Sequence, residues 1–369
     1  MRIGIITMHK VRNFGSALQA YGLQFAIEKL GYEVTIIDYK YPNELSSAGK
    51  KIRWQTKLRN FLDDIGLLKY LNPEVMYFHE FYKKYHLTKR YNNPQELVSN
   101  PPLFDVYMTG SDQVWNPKHT NTDLSFLLNF VPKNRRKIAY AASFACKKLD
   151  KQVAEKYIPY LKDYDSVGIR EYNGKLLYEA LTGLNAEVVI DPSLLLTKKD
   201  WENVVAPYNN QWKNQDYILV YFLSYAYNPF PYAFDLVRSV AQKLGKKIIC
   251  LCLEPNVAEY KCNIPNSEIV RKVGPIQFLQ LFLGASFVIT TSFHGTAFAS
   301  NFGKALLSVV NPDSDDDRQS SFLKNIGRDE SIWKCGSPLD RIPLEQHFMI
   351  SKLEQFRAKS YSFLKNSLL

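Results

Sequence analysis

The feature that most constrains the fold of this chain is a repeated alternation of short apolar segments with helical ones. Residues 2–7 form an apolar run, a polar loop with a glycine follows at 9–15, and residues 18–30 carry apolar side chains at helical spacing. Gly31 ends this helix, and residues 33–39 form the next apolar run. This order predicts a βαβ unit whose loop lies at the carboxyl edge of the first strand.

The same alternation continues through both halves of the chain. Further strands are predicted at 104–109, 137–143, 166–169, 187–190, 217–223, 247–253, 287–291 and 305–310. Helical stretches separate these strands, which favours parallel sheets flanked by helices. The predicted fold class is therefore α/β, with two doubly wound Rossmann-like domains facing a cleft. In this GT-B-like architecture the carboxyl ends of the strands face the cleft.

The predicted domain boundary follows Asp191-Pro192. We predict an N-terminal domain over 1–196, a C-terminal domain over 197–344 and a C-terminal helix over 345–369. The first domain contains a helical insert at about 44–100, and residues 40–90 carry eleven basic against five acidic side chains. This insert is either an amphipathic segment with a solvated basic face or a surface for anionic lipid.

The charge of the whole chain favours anionic partners. It has 47 Lys and Arg residues against 36 Asp and Glu residues, a net charge of +11. It has no zinc-finger spacing and no aromatic RNA-binding signature, so we exclude nucleic acid as the partner. The sequence opens directly into a strand and has no apolar stretch of membrane-spanning length. We therefore expect a cytoplasmic protein, with any membrane contact peripheral, at the inner face of the plasma membrane.

The sharpest local signal is the segment Thr290–Ala299. An apolar strand leads into Ser292 and His294, and Gly295 and Thr296 then open a helix. The unpaired N–H groups and the positive end of a helix dipole form a site for phosphate, to which the two hydroxyl groups can add donors. The alternative is that His294 lies on an exposed turn and only caps the helix.

Two loops of the first half give weaker signals of the same kind. Ser111 and Asp112 directly follow the strand at 104–109, so the Asp112 carboxylate lies at a carboxyl strand edge, where it can accept a proton from a hydroxyl group. Alternatively, Asp112 forms an Asx-turn or caps a helix. The loop after the first strand also resembles a binding nest. Its polar and flexible residues are Asn13, Gly15 and Ser16.

Two arginines are candidates for binding a carboxylate or a phosphate. Arg170 directly follows the strand at 166–169, and Arg318 follows the acidic run 313–317. Either guanidinium could instead form a salt bridge with its acidic neighbours. The sequence shows no ligand cluster with metal spacing and no Walker or dinucleotide glycine pattern, so we predict no metal site.

Together these segments resemble the polysaccharide pyruvyl transferase family. The matching segments are Gly4-Ile-Ile, Asn13–Ala20, Gly110–Trp115, Tyr140–Phe144, Arg170-Glu171, Asp191–Leu196, Ser292–Gly295 and Arg318. The resemblance implies a GT-B-like fold, phosphoenolpyruvate as donor and His294 at the donor site. It further implies a pyruvate ketal formed on a sugar of a surface or capsular polysaccharide precursor, with a sugar or lipid-linked oligosaccharide as acceptor.

Within that reaction the residues take provisional roles. His294 is the general acid or phosphate partner, and Asp112 is the candidate base. Arg170 and Arg318 would bind the donor from opposite domains. The remaining candidates are Ser292, Gly295 and Thr296 for the donor in the second domain, and Asn13, Gly15, Ser16 and Ser111 for the acceptor in the first. No metal or other cofactor is expected.

Two other functions remain open at this point. A nucleotide-sugar glycosyltransferase of the same architecture could use the helix-terminus site for a diphosphate. A non-catalytic carbohydrate-binding paralogue is the second alternative, although the presence of His294, Asp112 and both arginines argues against it.

Overall fold

The computed structural model of the chain describes residues 1–40, 67, 70, 72–224, 227–252, 257–346 and 348–369. The chain forms two compact units. Unit 1 comprises Met1–Leu196, Asp315–Arg318 and Phe356–Leu369, and unit 2 comprises Thr197–Ser314 and Gln319–Gln355.

Unit 1 is built on a parallel sheet. In the described part of the unit the sheet has six strands, in the order β2-β1-β3-β4-β5-β6. The strands are β1 (Arg2–Ile6), β2 (Glu33–Ile36), β3 (Val106–Thr109), β4 (Arg136–Ala142), β5 (Ser166–Ile169) and β6 (Glu187–Val188). Ile5 of β1 pairs with Ile36 of β2 on one side and with Met108 of β3 on the other.

Helices connect these strands, and asparagine side chains cap several of them. The helices are α1 (Phe14–Lys29), α2 (Pro73–Tyr82), α3 (Pro94–Ser99), α4 (Pro117–Thr120), α5 (Lys151–Leu161) and α6 (Tyr172–Thr182). Asn72, Asn93 and Asn116 each accept a backbone N–H of the following helix, and a proline follows each of them. Asn-Pro is an efficient helix start because the asparagine oxygen pairs an orphan donor and proline fixes a helical φ.

Unit 2 has a second parallel sheet with the order β12-β11-β10-β7-β8-β9. Its strands are β7 (Tyr217–Tyr221), β8 (Lys247–Leu251), β9 (Glu268–Val270), β10 (Phe287–Thr290), β11 (Ala305–Val310) and β12 (Ile332–Lys334). Its helices are α7 (Lys198–Val205), α8 (Tyr232–Leu244), α9 (Val257–Asn263), α10 (Pro275–Gly284), α11 (Phe293–Asn301) and α12 (Arg318–Asn325), with Arg318 itself grouped in unit 1. The chain ends in α13 (Ile350–Leu368).

The central strands are apolar on both faces because helices cover both sides of each sheet. Every residue of β3 and β7 is buried. On one side of the first sheet Trp115 stacks on Tyr178, with ring centroids 6.2 Å apart and planes at 13°. Each unit has its own apolar cluster, which agrees with two domains that each bury a core.

Both sheets reverse their strand order once, and this reversal marks where ligands bind in doubly wound folds. The reversal lies between β1 and β3 in unit 1 and between β7 and β10 in unit 2. The prediction of two doubly wound Rossmann-like domains is therefore confirmed.

One predicted domain assignment differs from the structure, and part of one predicted segment lies outside the described residues. Arg318 was predicted in the second domain, but the chain returns at 315–318 and Arg318 belongs to unit 1. Of the predicted insert at 44–100, α2 and α3 are helical as expected, whereas the basic segment at 44–66 lies outside the described residues. Within the described ranges no helix is both long and apolar enough to cross a lipid bilayer.

Candidate active site

The strand edge of unit 1 is organised by the loop that follows β3. Gly110 begins this loop with φ of +112°, and a Cβ atom at this position would lie 2.1 Å from the carbonyl oxygen of Tyr140. Only glycine fits here, because the loop packs directly on β4. The loop therefore delivers Ser111 and Asp112 to the reversal point between β1 and β3.

Gln19 of α1 ties this loop to the end of β1. Its Nε2 donates to Thr7 Oγ1 at 2.9 Å, and its Oε1 accepts from the backbone N–H of Ser111 at 3.1 Å. Thr7 in turn donates to the Ser111 carbonyl oxygen at 3.1 Å. Gln19 is fully buried and was not among the predicted site residues. Gln19 does lie in the segment Asn13–Ala20, whose resemblance to the family is the signal that could have pointed to it.

Asp112 is the centre of the polar network in unit 1. Its Oδ2 accepts a 2.6 Å hydrogen bond from the hydroxyl of Ser16, and its Oδ1 accepts the backbone N–H of Gln113 at 2.9 Å. Arg170 approaches Oδ1 at 3.4 Å. The residue is 7% exposed and has φ of +73°. The carboxylate is thus oriented by three donors at the carboxyl edge of the sheet, where it was predicted.

Arg170 lies between two carboxylates. Its second terminal nitrogen donates to Asp191 Oδ2 at 2.9 Å, and its side chain is 1% exposed. Asp191 also accepts the hydroxyl of Ser111 at 3.1 Å and that of Ser193 at 2.7 Å. Arg170 therefore forms salt bridges, but with Asp112 and Asp191 and not with the acidic sequence neighbour that the alternative named. Such a buried network fixes the position of Asp112.

Glu171 fixes the neighbouring loop after β4. Its Oε1 accepts the backbone N–H groups of Phe144 and Ala145 at 3.0 and 3.1 Å. Burial raises the pKa of the Glu171 carboxyl, and the nearby charge of Arg170 lowers it by a smaller amount. Arg170 thus contacts the loop after β3 through Asp112, and Glu171 holds the loop after β4.

Arg318 forms a bidentate salt bridge with Asp316. Its Nε donates to Oδ1 at 2.8 Å and its terminal nitrogen to Oδ2 at 2.6 Å, and the side chain is 12% exposed. Arg318 therefore forms the salt bridge with an acidic neighbour that the sequence analysis gave as the alternative to ligand binding. Because Arg318 lies in unit 1, it belongs to the same unit as Asp112 and Arg170.

His119 is a further polar group of unit 1 that the sequence did not single out. Burial lowers the pKa of His119, while the Asp112 carboxylate raises it and the Arg318 guanidinium lowers it. The ring therefore lies within the electrostatic reach of both residues. A lone histidine in the short helix α4 has no motif that could have revealed this placement.

The predicted nest at 13–16 is the start of α1. Asn13 caps the helix, and its Oδ1 accepts the backbone N–H of Ser16 at 3.2 Å. Gly15 is buried inside the first turn. Of the four acceptor candidates, Ser16 and Ser111 therefore contact the Asp112 and Asp191 carboxylates, whereas Asn13 and Gly15 form the helix terminus.

The corresponding edge of unit 2 is organised by two threonines. Thr290 donates to the carbonyl oxygen of Tyr221 at 2.6 Å and accepts the backbone N–H of Ser292 at 3.0 Å. Thr291 accepts the backbone N–H of Leu223 at 2.7 Å. Their hydroxyls tie the end of β7 to the end of β10 at the reversal point, a role that the sequence analysis missed.

His294 lies in the first turn of α11, which Ser292 caps through a 3.3 Å bond from the Gly295 N–H. The alternative that placed His294 on an exposed turn is wrong, because His294 is 8% exposed. The whole of α11 is buried, and the imidazole packs edge-on against Phe293 at 5.2 Å. The positive end of the helix dipole still lies beside the ring, as predicted.

Gly295 and Thr296 face the interior of unit 2. A Cβ atom on Gly295 would lie 2.4 Å from Thr290 Oγ1, so close packing of α11 on β10 requires glycine. The hydroxyl of Thr296 lies 2.7 Å from that of Ser308, and Gln319 donates to Ser308 at 2.7 Å. The structure thus accounts for both residues by packing and internal hydrogen bonds.

Several solved sugar-nucleotide enzymes have the same fold. A putative UDP-N-acetylglucosamine 2-epimerase from Listeria monocytogenes has a TM-score of 0.56 at 12% identity, covering 99% of this chain and 90% of that one. UDP-GlcNAc 2-epimerase from Neisseria meningitidis, bound to UDP-GlcNAc, has a TM-score of 0.54 at 13% identity, covering 100% and 99%. At these identities the likeness shows the fold alone.

The sequence itself gives the family. No curated protein matches the chain significantly. A family model described as polysaccharide pyruvyl transferase matches residues 13–314. This range is most of the chain and contains Asp112, Arg170 and His294, whereas Arg318 lies just beyond it. The chain therefore belongs to the polysaccharide pyruvyl transferase family.

Proposed function

We propose that this chain transfers pyruvate from phosphoenolpyruvate to a sugar and closes it into a ketal. The proposed acceptor is a sugar or lipid-linked oligosaccharide used to build a surface or capsular polysaccharide. The observation that carries the proposal is the family match over 13–314, which includes both strand edges at which polar groups gather.

The proposed chemistry balances without a redox step. The methylene carbon of phosphoenolpyruvate gains a proton and becomes a methyl group, and a sugar hydroxyl bonds to the adjacent carbon. The bond from that carbon to the phosphate oxygen breaks, and a second hydroxyl closes the ring. Of the two protons that the hydroxyls lose, one replaces the proton given to the methylene carbon and one leaves with phosphate. We propose that no metal takes part, since proton transfer and charge stabilisation suffice.

We assign the donor to the start of α11. Phosphoenolpyruvate carries a phosphate and a carboxylate, and the amino end of a helix favours anions. His294 lies in that first turn and is the proposed general acid or phosphate partner. Ser292 contributes by capping the helix and so aligning its first N–H groups.

We assign proton removal from the acceptor to Asp112. Its Oδ2 already accepts a hydroxyl, that of Ser16, at 2.6 Å, which is the geometry that a sugar hydroxyl would need. Arg170 is the proposed positioning residue for this carboxylate, because both its terminal nitrogens contact carboxylates. Arg318 could still bind the donor if the donor displaces Asp316 from its guanidinium.

Donor preference tests the proposal directly. A ligand present at about 100 times its Kd stabilises the folded protein by about 2.7 kcal/mol. We expect phosphoenolpyruvate to raise the melting temperature of the purified chain. A rise with UDP-N-acetylglucosamine and none with phosphoenolpyruvate would support a nucleotide-sugar glycosyltransferase instead.

Activity in the cell gives the second test. Surface polysaccharide from cells with and without the gene should differ by pyruvate ketals, which mass spectrometry detects. Identical polysaccharides would contradict the proposed product. If neither phosphoenolpyruvate nor UDP-N-acetylglucosamine changed the melting temperature, the non-catalytic alternative would be favoured.

A further inference from the structure

A basic pocket of 370 Å³ lies in unit 1 beside the loop that connects β1 to α1. Lys10 and Arg12 of that loop line the pocket, together with His79 of α2 and Lys83, which directly follows α2. Arg90 completes the basic lining. Among the described residues no acidic side chain lines the pocket, which distinguishes it from the Asp112 network.

Part of this positive charge is compensated by acids outside the pocket. Lys10 contacts Asp38 at 2.5 Å, and Lys83 contacts the exposed Glu80 at 2.7 Å. The half-buried Arg12 has no ion pair within the described part of the chain. A pocket with a surplus of positive charge concentrates anions, because its low-dielectric walls focus the field.

Three aromatic residues line the pocket together with Val75 and Leu87. Phe78, Tyr82 and Tyr85 line the pocket, and the rings of Tyr82 and Tyr85 stack with centroids 5.5 Å apart. The Tyr82 hydroxyl donates to the carbonyl oxygen of Val11 at 3.1 Å. The Tyr85 hydroxyl donates to that of Ala17 at 2.8 Å. These two bonds tie the aromatic side chains to the loop at Val11 and to α1 at Ala17.

The pocket and the Asp112 network share one structural element. Arg12 directly precedes Asn13, the cap of α1, and Ser16 in the first turn of that helix donates to Asp112. A molecule with an anionic group in the pocket would thus lie against the same loop and helix that position the proposed base.

From this arrangement we infer that the pocket binds a phosphoryl group of the acceptor. Guanidinium and ammonium groups are the usual partners of phosphate, and Arg12 offers a fork that can bind two of its oxygens. The aromatic rings give the adjoining sugar or ester a surface for packing. The acceptor is therefore a sugar esterified to phosphate or diphosphate, and this inference rests on the proposed function of Asp112.

The pocket suits a small phosphate ester better than a flat membrane surface. Its volume of 370 Å³ is in the range of cavities that enclose a small ligand. Anionic bilayers instead need lysines and arginines spread over an open face. A phosphate ester in the pocket can belong to a soluble sugar diphosphate or to a lipid-linked one, and the chemistry of recognition is the same.

Binding of inorganic pyrophosphate tests the inference without any transferase assay. Isothermal titration should show binding to the wild-type protein with phosphoenolpyruvate present to fill the donor site. Arg12→Gln should weaken this binding by about 10- to 100-fold, as expected for a lost charge-assisted contact. Arg135→Gln is the matched control, since Arg135 is an exposed arginine just before β4, and should bind pyrophosphate as wild type does.

Each outcome decides the inference. Absence of pyrophosphate binding at millimolar concentration, or equal binding by Arg12→Gln and wild type, would overturn it. Arg12-dependent binding to phosphatidylglycerol vesicles that pyrophosphate does not compete would also overturn it, in favour of a membrane surface. The proposed function is tested separately by the phosphoenolpyruvate shift, which Arg12→Gln should retain. If phosphoenolpyruvate did not raise the melting temperature but pyrophosphate still bound, the proposed donor would be rejected and the inference about the pocket would stand.

The two sources of the phosphate can then be separated. Undecaprenyl diphosphate and UDP should be compared as competitors of pyrophosphate in detergent. Preferential competition by the first indicates a lipid-linked acceptor, and preferential competition by the second indicates a soluble one. Failure of both would leave no phosphate ester able to enter the pocket and would overturn the inference.

Discussion

The hydroxyl of Ser16 donates a 2.6 Å hydrogen bond to Oδ2 of Asp112, although the two residues lie 96 positions apart in the chain. Ser16 lies in the first turn of α1, and Asp112 lies in the loop after β3. The bond therefore spans the reversal between β1 and β3. It joins the two segments that a doubly wound sheet presents to a ligand.

This relationship makes Asp112 the first residue to test. Replacing it by Asn preserves the shape of the side chain but removes the negative charge that accepts a proton. We expect pyruvyl transfer to fall by about 10²- to 10⁴-fold, with phosphoenolpyruvate binding retained. Steady-state rates and calorimetric donor binding of Asp112→Asn check both parts.

Substitutions of serine provide the controls for Asp112. Ser16→Ala removes one hydrogen bond to the charged Asp112 carboxylate, worth about 1.5–3 kcal/mol, and should lower the rate by about 10- to 100-fold. Ser99→Ala removes an exposed hydroxyl that donates to the Gln95 carbonyl oxygen within α3, and should have no effect. If Asp112→Asn behaved like Ser99→Ala, Asp112 would not be the base.

His294 should matter for donor chemistry. His294→Gln keeps a polar side chain at the start of α11, but it cannot supply a proton near neutral pH. We expect transfer to fall by about 10²- to 10⁴-fold. The matched control is His86→Gln, because His86 is an exposed histidine that pairs with Glu28 at 3.0 Å. Normal turnover by purified His294→Gln would remove this residue from the mechanism.

The alternation of apolar and helical segments was sufficient to predict the architecture. The predicted strand at 2–7 is observed as Arg2–Ile6, and that at 287–291 as Phe287–Thr290. Short apolar runs between helices are a reliable signal because buried parallel strands need apolar residues on both faces. The return of 315–318 to unit 1 has no such signal, because it depends on contacts distant in sequence. Arg318 was therefore predicted in the second domain, whereas it belongs to unit 1.

The positions of the candidate residues were predicted more reliably than their environments. Asp112 was predicted at a strand edge, since it directly follows a strand, and it lies there. The burial of His294 could not be predicted, because it results from neighbours that cover every face of α11. Gln19 resembles any helical glutamine in sequence. Its role appears only when the end of β1 and the loop after β3 are placed together.

The raised pKa of the Asp317 carboxyl predicts that the stability of the folded protein depends on pH. Burial raises its pKa from 3.8 to about 6 in the folded protein. The folded state therefore binds the proton more tightly than the unfolded state, so stability falls as pH rises from about 4 to about 6. Asp317→Asn removes this dependence. Its melting temperature minus that of wild type should rise from near zero at about pH 4 to a plateau above about pH 6.

The neighbouring Asp315 supplies the control for this pH effect. Its side chain is 63% exposed and pairs with Lys147 at 3.1 Å. Asp315→Asn should therefore show no increase in relative stability across the same window. A constant difference between Asp317→Asn and wild type from pH 4 to pH 7 would contradict the raised pKa.

Arg170 should contribute to stability more than to donor binding. Its side chain is buried between Asp112 and Asp191, so removing its charge leaves two carboxylates close together. Breaking a buried pair by removing one partner costs about 3–5 kcal/mol. We expect Arg170→Met to lower the free energy of unfolding by about this amount, measured by urea denaturation.

Lysine substitutions separate a positioning arginine from one that binds the donor. Arg170→Lys keeps the charge but loses the fork that reaches both carboxylates, so it should lower the melting temperature and kcat while the KM for phosphoenolpyruvate stays unchanged. Arg318 is more exposed, and its Nε and one terminal nitrogen donate to Asp316. If the donor displaces Asp316, Arg318→Lys should raise the KM for phosphoenolpyruvate more than that for the acceptor. A raised donor KM in Arg170→Lys would show instead that Arg170 contacts the donor. An unchanged KM in Arg318→Lys, with a lower melting temperature, would assign Arg318 to the scaffold.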